Sequence, residues 1–91
     1  MRVRFHTTMR HVTGVGEMEL PVAHGEPLRV LLDQLFSVHP NLRPLVLDDT
    51  GKLRDSIAVL VNGRHARLLG GLDATLNDQD DIALMLPLGG G

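Results

Sequence analysis

The chain has 91 residues, of which 2% are aromatic, with a formal net charge of −2 and no cysteine. This length accommodates one small domain. The interspersed charges and the scarcity of aromatic rings argue against direct nucleic-acid binding. The lack of cysteine excludes disulfides, iron–sulfur ligation and a thiol nucleophile. Because no run of about 18 apolar residues occurs and the N-terminus lacks a continuous apolar region, we expect a cytoplasmic protein without membrane contact.

Alternating apolar and polar residues near the N-terminus predict two half-buried β-strands. Their apolar positions are Val3, Phe5, Met18, Leu20 and Val22. The connection from Met9 to Gly16 is rich in turn residues, so we expect the two strands to form a hairpin. Pro21 marks an edge position of the resulting sheet.

One amphipathic helix is predicted after Pro27, a residue that suits a first helical turn. Apolar side chains then recur at the three-and-four spacing of one helix face, at Leu28, Leu31, Leu32, Leu35 and Phe36. Pro40 ends this helix near His39. Residues 41–55 are predicted to be loop-like, with the Leu45-Val46-Leu47 run able to dock on the core.

The C-terminal half predicts three further strands. The first contains Ile57, Val59 and Val61, and Asn62-Gly63 is a strong hairpin signal that returns the chain through residues 64–69. A second reversal follows at Gly70-Gly71, then an ambiguous segment over 72–76 that allows a short helical turn. The polar turn at 77–81 leads into the last strand, which contains Ile82, Leu84 and Leu86. One helix and several strands favour an α+β domain with the helix on one sheet face.

Strand alternation predicts an apolar patch on the other face of the sheet. If Val59 and Leu84 face the helix, then their neighbours in sequence face away, at Ala58, Leu60, Ala83 and Met85. Leu60 and Met85 would then form a partner-binding surface near the start of the C-terminal tail. The alternative is that residues 41–55 cover this face as a second small core.

The last five residues are Pro87-Leu88-Gly89-Gly90-Gly91. Glycine tolerates the close approach of another backbone, and five extended residues reach about 17 Å. We therefore predict a folded domain over residues 1–86 and a flexible glycine tail over residues 87–91 that inserts its α-carboxylate into a partner's site. An ordinary frayed terminus is the alternative.

Three segments together resemble the ubiquitin-like sulfur carriers: Val61-Asn62-Gly63, the turn and strand start over 76–82, and the terminus over 86–91. This β-grasp family contains the small subunit of molybdopterin synthase and the thiamine-biosynthesis sulfur carrier. The resemblance covers nearly the whole chain and implies a mixed sheet of four to five strands with one main helix packed on one face. The chain departs from the family pattern in its third terminal glycine, so the reactive carboxylate belongs to Gly91 or, after removal of one residue, to Gly90. The stretch ahead of Ile57 resembles the longer-loop branch, whose members serve several sulfur-transfer pathways.

The resemblance implies a carrier without a catalytic site or bound cofactor of its own. A carboxylate is a poor electrophile, so an E1-like adenylating enzyme would use ATP and Mg²⁺ to activate the terminus, and a sulfur donor would then yield a thiocarboxylate. A sulfur-accepting biosynthetic enzyme of the molybdopterin, thiamine, tRNA thiolation or cysteine pathway would consume it. The reactive residues are then Gly91 and Gly90. The partner-binding residues are Leu60, Met85, Pro87, Leu88 and Gly89.

Two other functions remain open from the sequence. An activated terminus can also be joined to a lysine, as in ubiquitin-like protein modifiers, and Lys52 is the chain's only lysine and hence the only side-chain amine for self-linkage. A passive interaction module with an unreactive tail is the other option, and it predicts that deleting Gly90-Gly91 leaves activity intact. No metal site is expected, because the five histidines and the acidic run at 78–81 lack the spacing of known metal-binding motifs.

Overall fold

The computed structural model describes residues 1–6 and 8–86 of the chain. Within these ranges the chain forms five strands and three α-helical segments. In chain order they are β1 (Arg2–Phe5), α1 (Thr8–Thr13), β2 (Glu17–Glu19), α2 (Leu28–Val38), α3 (Arg43–Val46), β3 (Ala58–Val61), β4 (Arg64–His65) and β5 (Ile82–Met85). Short 3₁₀ turns cover Pro40–Leu42, Ala66–Leu69 and Gly71–Asp73.

The strands form one mixed sheet in the order β2-β1-β5-β3-β4. β1 and β2 form the predicted antiparallel hairpin, with Val3 opposite Met18. β5 lies in the middle, parallel to β1 on one side and antiparallel to β3 on the other. The strand that precedes the C-terminal tail is therefore held from both sides by its neighbours.

The core lies between the sheet and α2. The apolar face of α2 is buried as its spacing predicts, and its partners on the sheet are the side chains of alternate strand positions: Val3, Phe5, Val59, Val61, Ile82 and Leu84. Pro27 precedes the helix in an extended conformation and stands at its N-cap, while His39 ends it by donating its backbone N–H to the Leu35 carbonyl at 2.8 Å. The predicted helix is thus confirmed in extent and in its buried face.

The prediction of a turn-rich connection between the first two strands is wrong in part, because this connection contains helix α1. Met9 is fully buried in the main core, which holds this short helix against the sheet. Gly14 ends the helix with a φ of +78° and donates its N–H to the Arg10 carbonyl at 2.9 Å. This is the usual glycine stop of a helix, placed after only six helical residues.

Two predicted strands are shorter than expected. β2 ends at Glu19, ahead of Pro21, although Leu20 and Val22 are buried as the alternation predicted. Pro21 has no N–H to donate to a ladder, so it lies beyond the strand rather than on its edge. β4 ends at His65, because the buried Ala66 starts a 3₁₀ turn in place of the predicted strand.

The predicted reversals occur where expected. Asn62 and Gly63 both have positive φ, at 54° and 82°, which matches the tight hairpin turn that this dipeptide favours. Gly70 and Gly71 also have positive φ, and the ambiguous segment after them begins with the 3₁₀ turn Gly71–Asp73.

Residues 41–55 were expected to be loop-like, but they contain α3 and the end of a 3₁₀ turn. Leu42 and Val46 are fully buried in the main core, and Leu47 is buried beside them. The Leu45-Val46-Leu47 run therefore docks on the core as predicted. Because this segment contributes to the core beneath the sheet, it does not form a second core over the opposite sheet face.

Asp48 organises the turn that follows α3. Its Oδ1 accepts hydrogen bonds from the Thr50 hydroxyl at 2.6 Å, the Thr50 N–H at 2.8 Å and the Lys52 N–H at 3.0 Å. The Asp48 N–H returns a bond to the Lys52 carbonyl at 2.8 Å. These donors, the Thr50 hydroxyl foremost, hold the pKa of Asp48 below its ordinary value.

We expect Asp48→Ala to destabilise the fold at neutral pH and to lose this effect in acid. A lowered pKa in the folded state means that the carboxylate stabilises the fold fully above its ordinary pKa of about 4, and progressively less as the pH falls through the folded value. Urea unfolding of both proteins from pH 7 downward measures the difference. Asp49→Ala is the matched control, and a gap between Asp48→Ala and wild type that persists undiminished in acid contradicts this account.

Candidate functional site

The sheet face turned away from α2 carries an apolar patch on its two middle strands. Ala58 lies opposite Met85 and Leu60 lies opposite Ala83, so these four side chains form one contiguous surface, here named the outer patch. The two alanines are buried, while Leu60 and Met85 are half-buried. The alternation that predicted this surface is therefore confirmed, and its use as a binding surface stays a prediction.

Charged side chains border the outer patch on the β1 side. Arg4 is the neighbour of Ala83 across the parallel pairing, and its Nε lies 3.2 Å from Asp81 Oδ1. Arg2 forms a second cluster on the same face with the carboxylates of Glu17, at 3.0 Å, and Glu19, at 3.7 Å. These exposed pairs contribute little to stability. An apolar centre with a charged rim is, however, the composition of a protein-binding surface.

The C-terminal tail begins at the border of the outer patch. Leu86 follows Met85 directly and is the last described residue. The strand before it is fixed by the bond from the His6 N–H to the Leu84 carbonyl, at 3.0 Å, and by its pairing with β3. The five residues predicted to bind or react in the tail lie outside the described residues, so their roles and the division after residue 86 stay predictions. They are Pro87, Leu88, Gly89, Gly90 and Gly91.

Helix α1 is a part of this region that sequence reasoning missed. It packs against β1 and β5, and β1 and β5 run parallel, so it lies at the end of the sheet from which the tail leaves. Its exposed side chains include Arg10 and His11, which add basic groups near the start of the tail. The sequence signal that could have indicated this helix is the three-residue spacing of Met9 and Val12, whose side chains both pack in or against the core.

The opposite end of β5 is tied down by a network around Asn62. Its Nδ2 donates to Asp80 Oδ1 at 2.8 Å, and its Oδ1 accepts from the Asp81 N–H at 2.9 Å. Asp80 also accepts from the Asn77 N–H at 2.8 Å. The asparagine and the acidic turn, on which the family resemblance partly rested, therefore connect the β3–β4 hairpin to the start of β5. They serve the fold at the end remote from the tail.

Within the described ranges, histidines and carboxylates nowhere come together in a group of three that could hold a metal ion. Of the helices that can be described, none has the length and apolarity needed to cross a membrane. At the start of the tail the described surface presents an apolar patch with charged borders, the composition of a surface that recognises a partner.

Known proteins resemble this chain over almost its whole length. Small archaeal modifier protein 3 of Haloferax volcanii is 28% identical over 91 residues, which are 100% of this chain and 98% of that protein. The crystal structure of SAMP1 from Haloferax volcanii matches with a TM-score of 0.83 and 30% identity, over 99% of this chain and 97% of the other. A chain from the BexX/CysO complex of Amycolatopsis orientalis matches with a TM-score of 0.82 and 28% identity, over 99% and 98%.

These likenesses confirm the β-grasp, ubiquitin-like fold that the sequence implied. The match to a family model is as extensive, since the model of the ThiS family covers residues 3–91 and so includes the glycine terminus. With its mixed five-stranded sheet, single main helix and terminal glycines, the chain belongs to the ThiS family of ubiquitin-like sulfur carriers.

Proposed function

We propose that this chain is a sulfur carrier that acts through the carboxyl group of its terminal glycine. The family consists of small carrier proteins that are generally not catalytic themselves. One observation carries the proposal: the family match runs through residue 91, so the glycine terminus belongs to the matched pattern. The reactive group is placed on Gly91, because no processing is then needed, with a trimmed Gly90 as the alternative.

The chemistry proposed for the terminus requires three partners. An E1-like enzyme joins the carboxylate to the α-phosphorus of ATP, with Mg²⁺ as its cofactor, and pyrophosphate leaves. When the sulfur donor delivers hydrosulfide, its sulfur forms a bond to the acyl carbon, the bond to AMP breaks, AMP leaves with the electron pair, and a thiocarboxylate remains on the glycine. A persulfide donor first gives an acyl disulfide, and a thiol must then reduce its S–S bond to release the thiocarboxylate. A biosynthetic enzyme takes this sulfur for its product. The carrier contributes binding energy that holds the terminus at a high effective concentration in each partner's site.

The outer patch is proposed as the surface that these partners bind. Leu60 and Met85 present partly exposed apolar side chains, and the two alanines between them keep the surface flat. A partner seated there would hold the start of the tail at a fixed position, so that only the tail must extend into the active site. A relative of similar fold is known in a complex with a second protein, the BexX/CysO complex of Amycolatopsis orientalis.

The direct test is the mass of the protein purified from its native cells. A thiocarboxylate exchanges one oxygen for one sulfur at the terminal carboxyl group, and fragmentation must place this change on the C-terminal peptide. That placement also distinguishes it from an oxidised methionine, which changes the mass by nearly the same amount. If the terminus is unmodified, and no cellular fraction activates it when ATP is supplied, the passive interaction module becomes the better explanation.

We expect Leu60→Asp to weaken binding of the activating enzyme about tenfold or more, since a charge in the centre of an apolar contact must be desolvated. Calorimetric titration with that enzyme measures the loss. Leu68→Asp is the matched control, because Leu68 is 80% exposed on a turn outside the outer patch. Equal binding by both variants, with both folded, would exclude the outer patch as the docking surface.

Protein modification is the second candidate function. The observation that favours it is the similarity of this chain to two modifiers, small archaeal modifier proteins 3 and 1, which span almost the same length as this chain. In this case the activated glycine forms an amide bond with a lysine of a target protein. Recovery of target peptides that carry the C-terminal glycines on a lysine side chain would support this function.

A further inference from the structure

The only lysine of the chain lies in a turn that several hydrogen bonds hold together. Lys52 is exposed, and its backbone N–H and carbonyl are both bonded to Asp48, as described above. A bridge between Leu47 and Leu53 closes the turn from behind. The main chain at Lys52 is therefore fixed by three contacts, which directs where its side chain can reach.

Lys52 lies at the border of a groove of about 520 Å³. One wall is Arg29, near the start of α2, and another is formed by Arg67 and the 3₁₀ turn Gly71–Asp73. The apolar lining is provided by Leu53 and Leu72, both half-buried and packed against the core. This groove lies among the loops on the helix side of the molecule and shares no residue with the outer patch.

Two other cationic side chains line the groove, and each of them is paired with a carboxylate. Arg29 is paired with Asp73, and Arg67 is paired with Asp55 at 3.1 Å. In the part of the chain that the structure describes, Lys52 forms no ion pair, so its ammonium is not held by a carboxylate. An acyl group that approaches this amine therefore has no carboxylate to displace.

We propose that Lys52 is the acceptor for the activated carboxyl terminus of a second copy of the chain, which links the protein to itself. This inference rests on the proposed function, because it requires an activated terminus. The Lys52 Nζ lone pair forms a bond to the acyl carbon of Gly91 of the other copy, the bond from that carbon to AMP breaks, and AMP leaves with the electron pair. The proton released from Nζ goes to water, and the product is an isopeptide bond.

The terminus suits this groove by its composition and its length. Five residues follow the last described position, and the only large apolar side chain among those after Pro87 is Leu88. In an extended chain three residues span roughly 10 Å, so Leu88 can lie on the Leu53 and Leu72 lining while the terminal carbonyl reaches Lys52. The glycines between them add no side chain that the groove must accommodate.

The test removes the need for an activating enzyme. A Lys52→Arg chain is prepared as a C-terminal thioester from an intein fusion, so that it can donate but not accept through a lysine. It is mixed with an acceptor chain that has a free carboxylate, and linkage is followed by intact mass and by mapping of the branched peptide. The acceptors are wild type, the double variant Lys52→Arg with Arg64→Lys, and Leu72→Ser.

We expect wild type to be linked at Lys52 about tenfold faster than the double variant is linked at position 64, as a positioned amine gains in effective concentration. Arg64 is exposed on β4, so its replacement offers a lysine outside the groove. Leu72→Ser, if still folded by circular dichroism, should fall to the rate of the double variant.

Equal rates for the two lysine positions would reduce Lys52 to an ordinary surface amine and overturn the proposal. Linkage at the Met1 amine would also overturn it. In a second experiment the wild-type chain is itself prepared as the thioester, and a cyclised single chain as the product would likewise overturn the proposal. Failure of the proposed function has a separate readout, namely pyrophosphate release by wild type with the activating enzyme. Lys52→Arg should retain that release in full.

Discussion

Replacing Gly90 with valine is expected to abolish adenylation of the terminus and to leave the folded domain unchanged. Valine adds a branched side chain next to the reactive carboxylate, where we expect a partner's site to admit only a bare backbone. Displacing a reacting group by about 1 Å can cost 100-fold in rate, so the expected loss is at least about that large. Pyrophosphate release with the E1-like enzyme and ATP measures the activity, and thermal unfolding reports the fold.

Gly16→Ala is the matched control for this experiment. A Cβ added at Gly16 would lie 3.6 Å from the Arg10 side chain, an ordinary contact, and Gly16 does not have positive φ. We expect this variant to keep both its stability and its pyrophosphate release. Normal release by Gly90→Val would contradict the expectation that the partner's site admits only a bare backbone, and with it the reactive role given to the terminal glycines.

The main features of the fold follow from the sequence because their signals are periodic and long. The helix face that begins at Leu28 repeats over three turns, and the alternation around Leu84 and Val59 fixes which face of each strand is buried. The Asn62-Gly63 reversal is favoured by local conformation, and the bonds of the Asn62 side chain to the turn before β5 support it.

The features that sequence reasoning missed are short elements that depend on tertiary contacts. Helix α1 has six residues, too few for a periodic signal to stand out, and the burial of Met9 supports it. β4 ends where Ala66 enters the core, although the residues after it have the composition of a strand. In both cases burial of one side chain decided the local conformation.

The candidate site also has one part that the sequence predicts and one part that it does not. The outer patch could be predicted, because it lies on two strands whose alternation is visible in the sequence. The groove at Lys52 could not, because Arg29, Leu53, Arg67 and Leu72 come from separate elements and meet only in the folded chain. The sequence singled out Lys52 only by its being the sole lysine, and the structure adds its surroundings.

Leu84→Ala is expected to cost about 2–5 kcal/mol of unfolding free energy, the largest effect on stability among the substitutions considered. Leu84 is fully buried in the central strand, and both neighbouring strands pair with it, at Phe5 and Val59. Small domains have about 5–15 kcal/mol of stability in total, so this loss leaves a substantial unfolded fraction when the total is at the lower end. Urea unfolding gives the free energy directly.

Met85→Ala is the matched control, one residue further along the same strand but on the outer patch. Because Met85 is only half-buried, it should cost much less stability than Leu84→Ala and should instead weaken binding of the activating enzyme. A volume-conserving change at the buried position, Leu84→Met, should cost less than about 1.5 kcal/mol. If Met85→Ala destabilised the fold as much as Leu84→Ala, the outer patch would be part of the core rather than a surface kept apolar for a partner. If Met85→Ala costs little stability but weakens binding of the activating enzyme, then adjacent residues of β5 serve the fold on one face and recognition on the other.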